Sequence, residues 1–218
     1  MQAALDAMRG TFGDVAPAVA RDADPDVDVI ELVDRGERHA ALSRLMQRYG
    51  EAIYRYCGAA LRDAALADDV QQQVFLGAFR DLPRYAGRGT VRTWLFAIAR
   101  YRVLDAVRRR RRGEARIAQA QAAAEPPALP PSPADSLDDL RLRAALVASL
   151  GELTEPSRTA VVLRYQQGFS FDEMAAICRE RPATLRARVS RALPVIRASI
   201  EARMKPPVRA SASADRGA

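Results

Sequence analysis

Five prolines fall within residues 126–133 of this 218-residue chain: Pro126, Pro127, Pro130, Pro131 and Pro133. Proline has no amide donor and its ring clashes with the preceding turn, so such a run cannot lie inside a helix or a central strand. Apolar residues recur at helical spacing on both sides of the run, and aromatic residues make up only 6% of the sequence. The chain is therefore predicted to be all-α, with two small helical domains joined by a flexible linker.

Composition and periodicity divide the sequence into five segments. Residues 1–27 combine glycines, prolines and scattered aspartates without a helical period, and are predicted to be a loose N-terminal extension. Residues 28–112 and 137–205 are predicted to be the two helical domains. Residues 113–136, rich in Ala, Gln and Pro, are the predicted linker, and residues 206–218 are a predicted flexible tail.

The rare residue types exclude several classes of protein. His39 is the only histidine, which rules out Ser-His-Asp, Cys-His and multi-histidine zinc chemistry. Cys57 and Cys178 form neither a C-x-x-C motif nor a disulfide framework, and are expected to be small core residues. No apolar run is long enough to span a membrane, and no secretory signal is visible. We expect a cytoplasmic protein that is not an enzyme and has no cofactor, metal or small-molecule substrate.

Positive charge is concentrated in one segment. The chain has 34 Lys+Arg against 27 Asp+Glu, a net charge of +7, and Lys205 is its only lysine. Residues 92–112 contain eight arginines and one aspartate, so their local excess equals that of the whole chain. The run Arg108–Arg112 directly follows a helical period, which favours a nucleic-acid contact over a merely solvated helix end or a disordered tail. A polyanion is the predicted partner.

Two helices are predicted in the first domain around this charge. Val70, Val74 and Ala78 recur at helical spacing, and Pro83 ends that helix. A second helix is predicted after Thr93 and ends in the arginine run. Trp94 lies on its apolar stripe, so core packing is favoured over stacking on a base, whereas either role is open for Tyr101.

The second domain contains a candidate helix-turn-helix. A helix is predicted from Thr154 to Gln167, and Ser170 with Glu173 forms a capping box for a short helix, Phe171–Cys178. Pro182 begins a final helix, which buries a stripe of Leu185, Val189, Ala192 and Ile196 and carries small and basic residues opposite. In a helix-turn-helix the second helix enters the DNA major groove. The pattern alone also fits an ordinary helical hairpin.

Two motif sets together resemble one family. Residues 69–76 (DVQQQVFL), residues 93–100 (TWLFAIAR), Asp105 and the arginine run are similar to region 2 of bacterial RNA polymerase sigma factors. The most similar group is the extracytoplasmic-function (ECF) group of the sigma-70 family. Residues 150–192, from Leu150 through Arg164, Gly168 and Glu173 to Ala192, resemble region 4 of the same group.

The resemblance implies partners and roles. Region 2 would dock on a coiled coil of the polymerase's largest subunit and capture the −10 element of promoter DNA as it melts. Region 4 would read the −35 element and sit on the flap of the second-largest subunit. It also implies a sequestering anti-sigma factor and a role in a stress or signal response. An operator-binding regulator and a phosphate-handling enzyme remain the alternatives.

The residues that match the family's motifs receive these expected roles. The −35 residues are Thr184, Arg186, Ala187, Arg188, Ser190 and Arg191. The residues for the −10 element and phosphates are Arg92, Thr93, Trp94, Arg100, Tyr101, Arg108 and Arg109. The polymerase-binding residues are Asp69, Gln72, Gln73, Phe75 and Leu76.

Four positions depart from the family's pattern. Tyr101 replaces the usual Asn and is expected to alter base preference, and Gln73 stands where an acidic residue is common. Arg179 occupies a turn position that usually holds Gly. Pro194 is expected to kink or end the last helix.

Overall fold

The computed structural model describes residues 25–85, 89–117 and 137–205, and within these ranges no strand occurs. The predicted all-α class is therefore confirmed. Most of the predicted extension and linker, and the whole predicted tail, lie outside the described residues. The helices are α1 Val27–Asp34, α2 Arg38–Leu61, α3 Ala64–Asp81, α4 Val91–Ile117, α5 Leu137–Glu152, α6 Glu155–Val161, α7 Phe171–Cys178 and α8 Pro182–Met204.

The first domain consists of α1 to α4, with α2 packed on α1, α3 and α4. Asp26, which precedes α1, is fully buried, accepts a hydrogen bond from Tyr49 Oη at 2.7 Å and pairs with Arg48. Because a buried carboxylate needs such partners, this contact fixes the start of the domain. Residues 25–27, predicted to belong to a loose extension, are therefore held against α2.

Helix limits in the first domain follow local signals. The Asp63 side chain accepts from Leu66 N and caps α3, which ends where Pro83 enters a 3₁₀ turn, as predicted. Helix α4 begins at Val91, before the predicted Thr93, because Thr90 Oγ1 accepts the Thr93 amide and supplies the cap. It continues past the arginine run to Ile117, so residues 113–117, predicted as linker, are helical.

The second domain consists of α5 to α8, and α8 packs on the other three helices. Helix α6 passes into a single π-helical turn, Val162–Gln166, and Gly168 then reverses the chain with a φ of 73°. This positive φ is readily available to glycine. The predicted helix from Thr154 to Gln167 is thus present, with a change of helix type near its end.

Pro194 lies inside α8, and the helix does not end there. The turns beyond it are held by burial of Ile196 and Ile200, and Ser199 Oγ donates to Glu152 of α5 at 2.9 Å. These contacts offset the missing backbone hydrogen bond. The alternative that Pro194 ends the helix is therefore wrong.

The two domains pack directly on each other. Helix α4 contacts α7, and α2 contacts both α6 and the π-helical turn. The buried apolar residues form one cluster that contains members of both domains. We call this set of contacts the interdomain interface.

Candidate nucleic-acid interface

Helices α7 and α8 form the predicted helix-turn-helix. Both hydrogen bonds of the Ser170–Glu173 capping box are present, and α7 covers the predicted residues Phe171–Cys178. Arg179 ends α7 in the left-handed region with a φ of 53°, so arginine adopts here the conformation that glycine would favour. Helix α8 then begins at Pro182, as predicted, and buries Leu185 and Val189.

Most of the predicted −35 residues share the exposed face of α8. All five of Thr184, Arg186, Ala187, Ser190 and Arg191 are exposed to solvent. The Arg186 guanidinium lies 5.2 Å from the centroid of the Phe171 ring, a cation–π contact that joins it to α7. This face has the small and basic side chains that a major groove accommodates.

Arg188 differs from its neighbours on α8. Its Nη2 lies 2.8 Å from Glu180 Oε2 and its Nη1 donates to Glu180 Oε1 at 3.0 Å. This bidentate pair raises the pKa of Arg188, and the same hydrogen bonding lowers the pKa of Glu180. The guanidinium predicted to read DNA is therefore held by a carboxylate in this structure.

The predicted −10 residues are distributed along α4 in different surroundings. Thr93 is buried, and Trp94 is half-buried with its ring centroid 5.6 Å from that of Tyr85. Tyr101 is 61% exposed, so its ring can be reached from solvent. Arg108 and Arg109 are exposed, and Arg109 Nη2 lies 2.7 Å from Asp105 one turn earlier.

Arg92 and Arg100 lie in the interdomain interface. Arg92 donates to the carbonyl of Gln167, and its guanidinium lies 3.9 Å from the centroid of the Phe169 ring. Burial lowers the pKa of Arg92. Arg100 is 8% exposed and lies 3.6 Å from Glu155 and 3.5 Å from Glu180.

The predicted polymerase-binding residues lie on α3. Asp69, Gln72 and Leu76 are exposed, and Leu76 is 68% exposed, the largest value among the exposed large apolar residues that the structure describes. Gln73 is half-buried beside Arg109, whereas Phe75 is 5% exposed and belongs to the core. Four of the five thus share an accessible helix surface, and Phe75 supports it from beneath.

Sequence reasoning missed the acceptors that hold the interface arginines. Glu155, Gln167, Phe169 and Glu180 all belong to the second domain. Arg92 and Gln167 are 75 positions apart, so no local periodicity could join them. In the structure, the burial of Arg100 indicates that such acceptors must be present, because a buried arginine requires partners that compensate its charge.

Other kinds of site find no support among the described residues. No group of three or more His, Cys, Asp or Glu side chains in those parts of the chain could hold a metal ion. Cys57 and Cys178 are free thiols and buried, as predicted, and burial raises the pKa of Cys57 to about 12 and of Cys178 to about 11. No helix in the described ranges has the length and apolarity needed to cross a membrane.

Comparison with known structures shows related folds. The sigma factor RpoE of Bartonella quintana, solved in complex with the anti-sigma factor NepR, superposes with a TM-score of 0.63 at 24% identity. The match covers 73% of this chain and 96% of that one. CnrH, solved in complex with the cytosolic domain of CnrY, gives a TM-score of 0.59 at 23% identity and covers 81% and 97% of the two chains.

Comparison of sequences adds the family. The profiles described as Sigma-70 region 2 and Sigma-70, region 4 match residues 45–113 and 143–193. The ECF RNA polymerase sigma factor SigC of Mycobacterium tuberculosis is 32% identical over 163 residues, which cover 74% of this chain and 84% of that protein. The RNA polymerase sigma factor CarQ of Myxococcus xanthus is 32% identical over 151 residues, covering 69% and 84%. The chain therefore belongs to the sigma-70 family of RNA polymerase sigma factors, in its ECF group.

Proposed function

We propose that this chain directs the RNA polymerase core to a set of promoters in a stress or signal response, acting in the cytoplasm and catalysing no reaction itself. The observation that supports the proposal is the presence, in one chain, of two exposed arginine-bearing surfaces on two separate family-matched regions. One is the exposed face of α8, and the other is the arginine-rich end of α4. A self-sufficient operator-binding protein needs only the surface on α8.

The second region reads the −35 element through α8. Side chains on its exposed face reach base edges and phosphates in the major groove, and each bidentate arginine–guanine contact is worth about 1–3 kcal/mol of discrimination. The capped α7 and the left-handed turn at Arg179 fix the angle at which α8 is presented. Arg188 joins this set when it leaves Glu180 for DNA.

The first region engages the −10 element and the polymerase. The exposed Arg108 and Arg109 neutralise backbone phosphates, and the exposed ring of Tyr101 offers a stacking face for a base freed by melting. The exposed residues Asp69, Gln72 and Leu76 on α3 contact the coiled coil of the largest polymerase subunit. The second region also contacts the flap of the second-largest subunit. A protein that sequesters the free chain, an anti-sigma factor, is a further proposed partner.

Run-off transcription with purified core polymerase on a library of genomic fragments tests the proposal. We expect transcripts that start at a common promoter motif and require both the chain and the core enzyme. Transcription that is independent of the chain would contradict the proposal. Tight specific binding of DNA by the chain alone, unchanged by core polymerase, would instead identify an operator-binding regulator.

Arg188→Ala tests the −35 assignment in the same assay. Removal of a bidentate contact is expected to reduce the preference for the native −35 sequence over a scrambled one by about tenfold, within the range for one such contact. Arg197→Ala is the matched control, because Arg197 lies on α8 and pairs with Glu201 outside the recognition face. Unchanged promoter choice by Arg188→Ala would remove Arg188 from the reading set.

A further inference from the structure

The aromatic ring at the start of the helix-turn-helix contacts two arginines. Phe171 is the first residue of α7, and the Ser170–Glu173 capping box fixes the backbone around it. The Arg186 guanidinium of α8 lies 5.2 Å from the centroid of this ring, and the Arg164 guanidinium of the π-helical turn lies 5.0 Å from it. Both distances are within the range of a cation–π contact. Three elements of region 4 therefore meet at one ring.

The two arginines are held in different ways. Arg164 Nη1 also donates to the Phe169 carbonyl at 2.9 Å, and the Arg164 side chain is half-buried. Arg186 is exposed, and among the described residues the Phe171 ring is the one partner of its guanidinium. A ring face restrains a guanidinium without accepting hydrogen bonds in the guanidinium plane. All five N–H donors of Arg186 therefore remain available to a ligand.

No carboxylate of the described residues pairs with either guanidinium at this ring. The carboxylate of Glu173 is occupied by the capping box, where it accepts a backbone amide at 2.7 Å. Elsewhere on α8, Arg197 pairs with Glu201 and Arg203 pairs with Glu152. Two like charges beside one ring repel each other, and an anion that accepts from both removes this repulsion. The ring and its two guanidinium groups thus have the chemistry of an anion site.

We propose that Phe171 is a positioning residue whose ring holds Arg164 and Arg186 together as a binding site for one backbone phosphate of DNA. Arg186 then fixes the position of α8 in the major groove and does not read a base edge. The inference rests on the proposed function for the placement of this phosphate beside the −35 element. A phosphate is the expected anion, because guanidinium groups bind phosphate oxygens through paired N–H donors and because Arg186 lies on the exposed face of α8.

The ring contributes to binding by ordering the arginines in advance. An arginine side chain loses rotamer freedom when it binds a ligand, and this loss opposes binding. The Phe171 ring and the Phe169 carbonyl order the two side chains before DNA is bound, so less freedom is lost on binding. Because a phosphate contact carries no sequence information, the expected effect is on affinity and orientation, with the preference for one promoter over another unchanged.

The ring contacts are tested first in the full chain without DNA. NMR spectra of the isotope-labelled chain resolve the Nε–H groups of arginines, and the ring current of a nearby aromatic residue shifts their signals. The signals of Arg164 and Arg186 are identified by their absence from Arg164→Gln and Arg186→Gln. We expect both signals to lose their ring-current shifts in Phe171→Leu and to keep them in Phe171→Tyr, which retains the ring. Unchanged signals in Phe171→Leu would contradict the positioning role.

Binding of the full chain to a fluorescent duplex of random sequence measures the effect on affinity. At fixed salt, Phe171→Leu is expected to weaken binding by about two- to fivefold, the value for an exposed cation–π contact. Phe171→Tyr is expected to match the parent chain. In the double variant Arg164→Gln with Arg186→Gln, Phe171→Leu is expected to have no further effect. The same loss in that background would assign Phe171 a structural role alone and would overturn the inference.

The salt dependence of the same binding reaction counts the phosphates. The double variant is expected to reduce the magnitude of the slope of log affinity against log salt concentration by about 0.9, the value for one phosphate of duplex DNA. Arg197→Gln is the matched control, because it removes a charge of α8 that pairs with Glu201, and it is expected to leave the slope unchanged. An unchanged slope in the double variant, or a reduction twice as large, would contradict one shared phosphate.

Promoter binding by the holoenzyme separates a phosphate contact from base reading. Arg186→Gln is expected to weaken binding of promoters with native and with scrambled −35 sequences by the same factor, whereas Arg188→Ala changes their ratio. A loss confined to the native sequence would assign Arg186 to a base edge and would overturn the inference. Failure of the proposed function is distinguishable. In that case no promoter-specific run-off transcript is obtained, and the random duplex still decides whether the two arginines share a phosphate.

Discussion

The two ends of α4 carry the same residue type in opposite surroundings. Arg92 and Arg100, in its first half, lie between the two regions and contact acceptors of region 4. Arg108–Arg112, in its second half, are exposed. Net charge predicts attraction to a polyanion, but it does not distinguish an exposed guanidinium from one that is buried against the other region. Burial and the identity of the acceptor make that distinction.

The largest expected effect is on stability, from Arg100→Met. Removing Arg100 leaves the largely buried Glu155 without its compensating charge and leaves Glu180 paired with Arg188 alone, and breaking a buried ion pair in this way typically costs about 3 kcal/mol or more. We expect a decrease of this order in the free energy of unfolding of the full chain, measured by chemical denaturation. The matched control is Arg108→Met, an exposed position on the same helix, expected to change it by less than about 0.5 kcal/mol. Equal decreases in the free energy of unfolding at the two positions would show that arginines at the two ends of α4 do not differ in their contribution to stability.

An intermediate effect is expected on binding, from replacing Arg108–Arg112 by alanine. Alanine has the highest helix propensity, so α4 is retained while its exposed charge is removed. The plot of log affinity against log salt concentration has a negative slope. For duplex DNA, each phosphate that the variant no longer neutralises reduces the magnitude of this slope by about 0.9. We expect a flatter slope for binding of promoter DNA by the holoenzyme, measured by filter binding at several salt concentrations. An identical slope would mean that these arginines do not contact phosphate.

The recognition helix-turn-helix could be predicted almost to the residue. The capping box at Ser170, the limits of α7 and the start of α8 at Pro182 all depend on side chains within a few positions of the helix ends. Such contacts are encoded locally, so sequence alone reveals them. The predicted limits of α4 are less accurate. Thr90 rather than Thr93 provides its cap, and the helix continues beyond the arginine run.

The contacts between regions could not be predicted. Arg92 and Arg100 look in sequence like the other arginines of α4, and their acceptors follow a linker whose composition gives no information about geometry. Pro194 illustrates the same limitation. Its local tendency to end a helix is overridden by the packing of later residues of α8 on α5. Tertiary contacts decide both cases, and a single sequence contains no direct record of them.

The smallest expected effect concerns pH and the carboxylate shared by the interface and the recognition helix. Arg188 on α8 and Arg100 on α4 face Glu180, and hydrogen bonding to Arg188 holds the pKa of Glu180 below its usual value of 4.5. For a carboxylate with a lowered pKa in the folded state, the stabilisation is fully present above the unfolded value and is lost as pH falls through the folded value.

We therefore expect the free energy of unfolding of the parent chain to exceed that of Glu180→Gln by up to about 1 kcal/mol at neutral pH, since the pair is partly exposed. The difference should be constant above pH 4.5 and shrink below it as Glu180 becomes protonated. Glu201→Gln is the control. Glu201 is an exposed residue of α8 that pairs with Arg197 and contacts neither Arg100 nor Arg188. A difference that persists unchanged well below pH 4.5 would mean that the charge of Glu180 does not stabilise the packing of the two regions, and the buried Arg100 would then depend on Glu155 alone.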